Sequence, residues 1–306
     1  MNSNSKKELI KELRAITSAG MVDCVKALEE SSFDLQKAVD IVKVKGLNIA
    51  DGRTGRVAAD GLVDIVVGKD LSVMVEVNCQ TDFVAGSAEF KKFIRDVKHK
   101  VYEDTLANVT FSVSSMEEAR KEVVSKTKEN VVIRRWFAEQ ALDPTVKVFA
   151  YEHSNSKIGV LLTMRAPSVE AANSPEFQAL GDDLTMQICA MNPLAISADR
   201  LPTDEVARQK AIFETQLKED KKPEAMWGKI MEGKMRKWNT EVCLLEQESV
   251  SVAKTLIKQV VKNVGSKLGG EIQIVNFVRC QVGEGIEIKK ENLAEEVAKL
   301  TDTRGC

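Results

Sequence analysis

The sequence of 306 residues has few aromatic residues, only two histidines and no long hydrophobic run, and each shortage narrows the range of functions. Aromatic residues make up 5% of the chain, whereas charged residues make up 29%. The two histidines, His99 and His153, leave few candidates for histidine-based acid–base catalysis. No apolar run approaches the roughly 20 residues that span a bilayer, so no membrane-spanning segment is predicted.

The net charge and the cysteines argue against further classes of protein. The net charge of −2 and the isoelectric point near 6.0 argue against a dominant nucleic-acid footprint and against polybasic membrane attachment. Six cysteines occur without a C-x-x-C spacing, which favours reduced intracellular thiols over a structural zinc site. The N-terminus lacks the apolar core of a signal peptide. We expect a cytoplasmic protein or, alternatively, an organellar one whose presequence has been removed.

A search for catalytic motifs finds few candidates. The chain contains neither G-x-x-x-x-G-K-[ST] nor G-x-G-x-x-G after a predicted strand. One hypothesis makes Cys79 a nucleophile with His153 as its base, but a buried structural cysteine is the favoured interpretation. We expect neither a cofactor nor a metal site.

Residues 5–46 have the pattern of three short helices. Ser5 begins a capping-box pattern, S-x-x-E, and Asp34 is placed to cap the third helix. The apolar residues expected on the helix faces are Leu9, Leu13, Ile16, Met21, Val25, Leu28, Leu35, Ala38, Val39 and Val42. Residues 47–60 are glycine-rich without a clear period and are predicted to form a linker.

The middle of the chain contains a weak internal repeat. "GLVDIVV" and "LSVMVEV" predict a β-hairpin with its turn at residues 68–70, and "VKVFAYEH" and "IGVLLTM" predict a second. A matching tetrapeptide then starts a predicted helix in each copy, Ser87–Phe90 in the first and Ser174–Phe177 in the second. A chance match is the alternative, but the shared order of elements favours two related α+β subdomains.

The C-terminal part is predicted to be helical and then to return to strand. Residues 203–238 predict two helices joined by a polar turn near Pro223, either as a protruding hairpin or packed on the core. "TEVCLLE" and "EIQIVNFVRCQV" are predicted strands, and "NLAEEVAKL" is a predicted final helix.

The stretch "VEVNCQTDFVA", residues 75–85, places Phe83 directly after Asp82, just past a predicted strand. Phe83 either turns back into the core beneath the following helix or stands at a loop tip. At a loop tip, a rigid ring beside an acceptor suits contact with a partner. The pattern alone favours neither alternative.

The same stretch resembles the signature of the elongation factor Ts family, V-E-V-N-C-[EQ]-T-D-F-V-A. "LRAITSAGMVDCVKAL", "VAADG", "IGVLL", "EGKMRKW" and "VGEGIE" are similar to other family segments and occur in the family's order. The resemblance covers nearly the whole chain. It implies guanine-nucleotide exchange on elongation factor Tu, with no covalent chemistry, no direct contact with nucleic acid and no membrane binding.

The resemblance also implies an α+β fold and its division into domains. The parts are a ubiquitin-associated-like domain of three helices at 1–46, a linker at 47–60, core subdomains at 61–143 and 144–288, and a C-terminal helix or tail at 289–306. Both subdomains would contain antiparallel sheets, and the second would include a coiled-coil hairpin at 203–238. A homodimer through that subdomain is left open, because "TMQICAMNP" lacks a histidine that the family often carries there.

Roles for individual residues follow from the resemblance. Thr81, Asp82, Phe83 and Val84 match the family's exchange wedge. The aspartate–phenylalanine pair of that wedge enters the GTPase near its magnesium site, and the bound GDP loosens.

Two further groups match family positions that contact the GTPase. The first group, which matches residues that bind the GTPase domain, contains Arg14, Met21 and Val22. Packing in the helix core is the alternative for Met21. His153 matches a histidine that touches another domain, and its alternative is a turn histidine without a partner. Ser18 and Val22 depart from the family's glycine and methionine. A competing hypothesis is an adaptor whose N-terminal helices bind ubiquitin-like or other helical partners without driving exchange.

Overall fold

The fold is α+β, as predicted. A computed structural model describes residues 3–17, 21–42, 44, 56–220 and 223–287. Three N-terminal helices precede two three-stranded antiparallel sheets, each of which is covered by helices. Within the described part of the chain, no helix is long and apolar enough to cross a membrane.

The N-terminal helices are α1 (Ser3–Thr17), α2 (Met21–Glu30) and α3 (35–42). Their inner faces meet in a small core, whose fully buried members include Leu13, Cys24, Ala27, Leu28 and Ala38. Asp34 caps α3 as predicted, because its carboxylate accepts a hydrogen bond of 3.1 Å from the N–H of Lys37.

Three expectations for these helices are wrong. Ser5 lies inside α1, which begins two residues earlier, so Ser5 does not cap that helix. The side chains of Ile16 and Met21 are 56% and 59% exposed, although both were expected on inner faces. Each helix of so small a unit buries only one stripe, and Leu13, Cys24 and Leu28 occupy that stripe.

The first sheet has the order β1-β2-β3 and contains β1 (Asp60–Val67), β2 (Leu71–Cys79) and β3 (Val132–Gln140). The predicted hairpin is confirmed, and the N–H of Gly68 donates to the carbonyl of Leu71 across its turn at 2.8 Å. A short helix, α4 (Asp82–Gly86), follows β2. The sequence did not predict β3, because that strand is half-exposed and carries charged residues.

The second sheet repeats this arrangement with the order β4-β5-β6. Its strands are β4 (Val146–Glu152), β5 (Ile158–Arg165) and β6 (Gln273–Gln281), and all three were predicted. The central strand β5 is the most buried of them, which agrees with its continuous apolar sequence.

Helices cover the outer face of each sheet. α5 (Ala88–Leu106) and α6 (Glu117–Thr127) pack on the first sheet, and α7 (Val169–Ala172) and α8 (Pro175–Met191) pack on the second. The hydroxyls of Ser87 and Ser174 each accept a hydrogen bond of 3.2 Å, from the N–H groups of Phe90 and Phe177 respectively. These predicted caps are confirmed, and the matching helix starts support the internal repeat.

A helical hairpin is formed by α9 (Thr203–Glu219) and α10 (Glu224–Val242). Its base is held by a separate apolar cluster that contains Leu201, Trp238 and Cys243. Pro223 and Met226, at the turn, are exposed, which favours the protruding arrangement.

The predicted strand "TEVCLLE" is wrong. Its first residues complete α10, and Leu244–Glu246 form a 3-10 turn. Cys243 and Leu244 are buried, so their apolar character reflects packing at the hairpin base and not strand pairing. α11 (Ile257–Lys267) follows and was not predicted. The predicted final helix and most of the predicted linker lie outside the described residues.

The inner faces of the two sheets pack against each other. Val63, Met74, Leu161 and Cys280 are completely buried between them. Gly159 permits this close approach, because a Cβ atom there would lie 2.6 Å from both the Sδ of Met74 and the Cγ1 of Val63. The two sheets therefore form one layered core.

A buried carboxylate also ties the two sheets together. Glu76 of β2 is fully buried, and it accepts hydrogen bonds from Arg134 and Arg135 of the neighbouring strand β3. The backbone N–H of Gly283, just after β6, donates to the same carboxylate at 2.8 Å. Burial, the largest effect, opposes ionisation, but the hydrogen bonds from Arg135, Gly283 and Arg134 together hold the pKa of Glu76 below its ordinary value.

Candidate functional site

Phe83 lies on a short helix and not in the loop that the sequence indicated. α4 begins directly after Thr81, whose backbone is extended (φ −133°, ψ 156°) and whose hydroxyl accepts a hydrogen bond of 3.4 Å from the N–H of Val84. This is the geometry of a helix N-cap. The Asp82–Phe83 pair therefore occupies the first turn of a capped helix.

The structure decides between the two alternatives for the Phe83 ring. The ring is 85% exposed and does not turn back into the core. Ala85 is buried, and Val84 packs against the core between the first sheet and its helices, so those two residues fill the space beneath α4. Asp82 is exposed beside the ring. An apolar ring and a carboxylate are thus presented together to the solvent.

Glu129, just past the end of α6, holds the start of α4. Its carboxylate accepts hydrogen bonds from the backbone N–H groups of Gln80 and Thr81, at 3.1 and 3.0 Å, and from the hydroxyl of Thr81 at 2.7 Å. The side-chain carbonyl of Gln80 in turn accepts the N–H of Asn130 at 3.0 Å. Sequence reasoning missed Glu129, because nothing in the local pattern links it to residues 48 or 49 positions away.

Cys79 has the properties of a structural cysteine. Burial raises the pKa of its thiol to about 12, and the nearby carboxylates of Asp60 and Glu129 add to the shift. The thiol donates to the carbonyl oxygen of Thr81 at 3.1 Å. A nucleophilic cysteine requires a lowered pKa, so burial and the raised pKa favour the structural interpretation of Cys79 over a nucleophile.

His153 is exposed in the turn between β4 and β5 and has a side-chain partner. Its Nδ1 lies 3.1 Å from the hydroxyl of Tyr151. The turn is closed by hydrogen bonds from His153 N–H to the carbonyl of Ile158 and from Ser156 N–H to the carbonyl of His153, both 2.9 Å long. An exposed position in a hairpin turn suits both alternatives for His153, a contact with a partner protein and a turn histidine without a partner.

The His153 turn approaches the end of the first sheet from which α4 starts. Lys157, which follows the turn, donates to Asp60 and to the carbonyl oxygen of Gly61. Asp60 is paired in register with Cys79, the last residue of β2. Both α4 and the turn contact β1. The structure thus brings the His153 turn and the Asp82–Phe83 pair to the same end of β1.

Arg14, Met21 and Val22 lie on the N-terminal helices. Arg14 is exposed, and the side chains of Met21 and Val22 are 59% and 66% exposed. The alternative that Met21 packs in the helix core is therefore wrong. The residues that form the core of these helices lie between positions 9 and 42. Residues 45–55, which lead to β1, lie outside the described part of the chain.

A cavity lies elsewhere in the described part of the chain. It has a volume of about 620 Å³ and is bordered by α11 and the start of β6, with Arg200, Lys258 and Lys262 among its lining residues. No residue of α4 lines it. The candidate site is instead the exposed surface that Asp82 and Phe83 form.

Comparison with known proteins assigns the chain to a family. The family model described as "Elongation factor TS" matches residues 80–284, which is more than half of the chain. An elongation factor Ts of Symbiobacterium thermophilum is 38% identical, and the match covers 95% of this chain and 96% of the relative. The chain belongs to the elongation factor Ts family.

Other members of the elongation factor Ts family match over similar lengths. The protein of Clostridioides difficile is 37% identical over 97% of this chain and 99% of its own length. That of Clostridium botulinum is 39% identical over 95% and 97%. The family model's match contains α4, Glu129 and His153, whereas Arg14, Met21 and Val22 precede it. The predicted family, a family of translation elongation factors, is confirmed.

Proposed function

We propose that this protein binds elongation factor Tu in its GDP-bound form and promotes the release of GDP. The observation that carries the proposal is the 85% exposure of Phe83 beside Asp82, on a capped helix within the matched family region. An isolated exposed ring is unfavourable in water, and it becomes favourable when a partner covers it. Membership of the elongation factor Ts family supports elongation factor Tu as the partner.

The mechanism is a physical displacement. Phe83 inserts between side chains of the GTPase, and Asp82 supplies a hydrogen-bond acceptor beside it. Together they shift the elements that hold the magnesium ion and the phosphates, so that GDP leaves and GTP replaces it. The coupling is reciprocal: the protein weakens GDP binding by the factor by which GDP weakens binding of the protein.

The ring of Phe83 alone can weaken GDP binding only to a limited extent, so a larger effect requires further contacts with the GTPase. Burying a phenylalanine side chain contributes roughly 1.5–3 kcal/mol, which corresponds to about ten- to a hundredfold in an equilibrium. Met21 and Val22 offer further exposed apolar surface on the N-terminal helices, with Arg14 nearby in the chain. His153 offers a polar contact at the same end of the sheet as α4. We assign these residues to binding and not to chemistry, since exchange breaks no covalent bond.

The adaptor hypothesis gives no role to α4. A ubiquitin-binding adaptor would use the N-terminal helices alone and would leave the exposed ring of Phe83 unexplained. A titration of the full chain with ubiquitin separates the two functions. Binding of ubiquitin together with no binding of elongation factor Tu would favour the adaptor.

The test of exchange uses fluorescently labelled GDP bound to elongation factor Tu. We expect substoichiometric amounts of the protein to accelerate label release, since each molecule leaves once GTP has reloaded. Excess GDP should weaken binding of the protein by the same factor by which the protein weakens GDP. Release at the unassisted rate would contradict the proposal.

Three further properties of the protein are predicted together with this function. They are the division into domains at 1–46, 47–60, 61–143, 144–288 and 289–306, the location in the cytoplasm with an organelle as the alternative, and a homodimer through the second core subdomain. Light scattering of the free protein, and of its nucleotide-free complex with elongation factor Tu, tests the homodimer.

A further inference from the structure

We propose that Glu129 is a positioning residue for the Asp82–Phe83 pair, holding α4 in the orientation that presents the ring. This inference rests on the proposed function, because orientation of the ring matters only if the ring is inserted into a partner. Glu129 does not itself reach the exposed surface of α4. It acts through Gln80 and Thr81, the two residues that join β2 to that helix.

The hydrogen-bond pattern makes the role of Thr81 depend on Glu129. A carboxylate only accepts hydrogen bonds, so the hydroxyl of Thr81 must donate its proton to Glu129 across their 2.7 Å contact. The lone pairs of the hydroxyl are then free to accept the N–H of Val84 and cap α4. Glu129 thus selects the direction of the hydroxyl that the cap requires.

α4 depends on such outside support, because it has only five residues. A helix of this length is far too short to be stable by its own hydrogen bonds. Its far end is held by Ser87, whose N–H and hydroxyl both donate to the carbonyl of Val84, at 3.0 and 2.7 Å. Its near end is held by Thr81, and therefore by Glu129. The Asp82–Phe83 pair lies immediately beside that near end.

Glu129 is itself fixed in place from both sides. Lys128, directly after α6, has the left-handed conformation (φ 62°), and its N–H donates to the carbonyl of Val124 at 2.8 Å. Asn130 is buried and donates its N–H to the side chain of Gln80 and its Nδ2 to the carbonyl of Arg56, at 3.0 and 2.7 Å. Hydrogen bonds on both sides of Glu129 therefore fix the backbone after α6, and this backbone supports the start of α4 through the Glu129 side chain.

Two substitutions of Glu129 separate its charge from its size. Glu129→Ala removes all three acceptor contacts, and we expect GDP release from elongation factor Tu to slow by about tenfold. Glu129→Gln keeps the size but introduces an N–H₂ donor that competes for the Thr81 hydroxyl, and we expect a smaller loss. Glu122→Ala, which removes a 66% exposed carboxylate of α6 that is paired with Lys126, is the matched control and should leave the rate unchanged.

A double-mutant cycle tests whether Glu129 acts through the ring. In a Phe83→Ala background, the Glu129 substitutions should cause a clearly smaller further loss, because Asp82 is then the only member of the pair left to orient. An equal loss in both backgrounds would overturn the inference, and so would no loss in the chain that retains Phe83. If Glu129→Ala fails to fold, the cycle with Glu129→Gln gives the same decision.

A readout that does not use exchange keeps the inference separate from the proposed function. A fluorinated phenylalanine at position 83 reports ring order through its ¹⁹F relaxation, and amide hydrogen exchange reports protection of Gln80 and Thr81. We expect Glu129→Gln to increase ring motion and to lower protection at both amides, with Glu122→Ala unchanged. If the unmodified protein does not accelerate GDP release, the proposed function fails, and these measurements still decide the role of Glu129. Unchanged ring order and protection would overturn the inference.

Discussion

The buried carboxylate of Glu76 accepts a hydrogen bond of 2.8 Å from the backbone N–H of Gly283, although the two residues are 207 positions apart. Glu76 lies on the first sheet, and Gly283 follows the last strand of the second. Arg134 and Arg135 also donate to this carboxylate, and they contact Glu284 and Gln281 as well. The side chain of Glu76 therefore joins the first sheet, from which α4 starts, to the end of the second sheet.

Removing this carboxylate should destabilise the protein strongly. Glu76→Ala removes the buried acceptor shared by two arginines, the N–H of Gly283 and the thiol of Cys280, and we expect a loss of about 3 kcal/mol in the free energy of unfolding. Urea denaturation followed by circular dichroism measures it. Glu284→Ala is the control, since its contact with Arg135 is partly exposed and its removal should cost less than about 1 kcal/mol. Equal losses for the two variants would contradict the role given to Glu76.

The same carboxylate predicts how stability depends on pH. The pKa of Glu76 in the folded protein is below its ordinary value of 4.5. The unfolded chain therefore binds this proton more readily than the folded one, and the contribution of Glu76 is fully present above pH 4.5. It is lost as the pH falls through the folded pKa. The difference in unfolding free energy between wild type and Glu76→Gln should be constant near neutral pH and shrink below pH 4.5. A difference that grows with acidification would contradict this account.

Two helical glycines should respond to alanine in opposite directions. A Cβ at Gly181 of α8 would lie 2.1 Å from the ring of Phe149, which packs edge-on against Phe177, and we expect Gly181→Ala to cost about 1–3 kcal/mol. Gly233 of α10 has nothing within 4 Å of the same position, so Gly233→Ala should stabilise by roughly 0.5–1 kcal/mol. Thermal unfolding measures both. Stabilisation by Gly181→Ala would show that the core is looser than described.

The thiol of Cys79 should be inert in the folded protein. Its pKa of about 12 leaves almost no thiolate at neutral pH, and the side chain is buried. We expect mass spectrometry to find the Cys79 peptide unmodified after iodoacetamide treatment of the native protein and modified after treatment in denaturant. Rapid modification of the native protein would revive the cysteine-nucleophile hypothesis.

The elements with a clear local pattern could be predicted from the sequence. The strands of both hairpins have apolar runs bounded by turn residues, and Ser87 and Ser174 mark the starts of the two matching helices. β3 could not be found in the same way. Ile133 is its one buried residue, and the strand is recognisable only through its pairing with β2.

The candidate site could be predicted only in part. The family signature points to Asp82 and Phe83, but the direction of the ring depends on which neighbours fill the core, and here Val84 and Ala85 do so. The contact between Glu129 and Thr81 requires a left-handed turn at the end of α6 and a sequence separation of 48 residues. No periodicity in the sequence reports such a contact.

The proposed exchange activity depends most directly on the ring of Phe83, and one substitution tests the contribution of that ring. Phe83→Ala removes a side chain that is 85% exposed, so the unfolding free energy should stay within about 0.5 kcal/mol of the wild-type value. We expect the rate at which labelled GDP leaves elongation factor Tu to fall by about ten- to a hundredfold. Leu142→Ala, which removes a 79% exposed apolar side chain elsewhere, should leave the rate unchanged. Release as fast with Phe83→Ala as with the wild type would contradict the account.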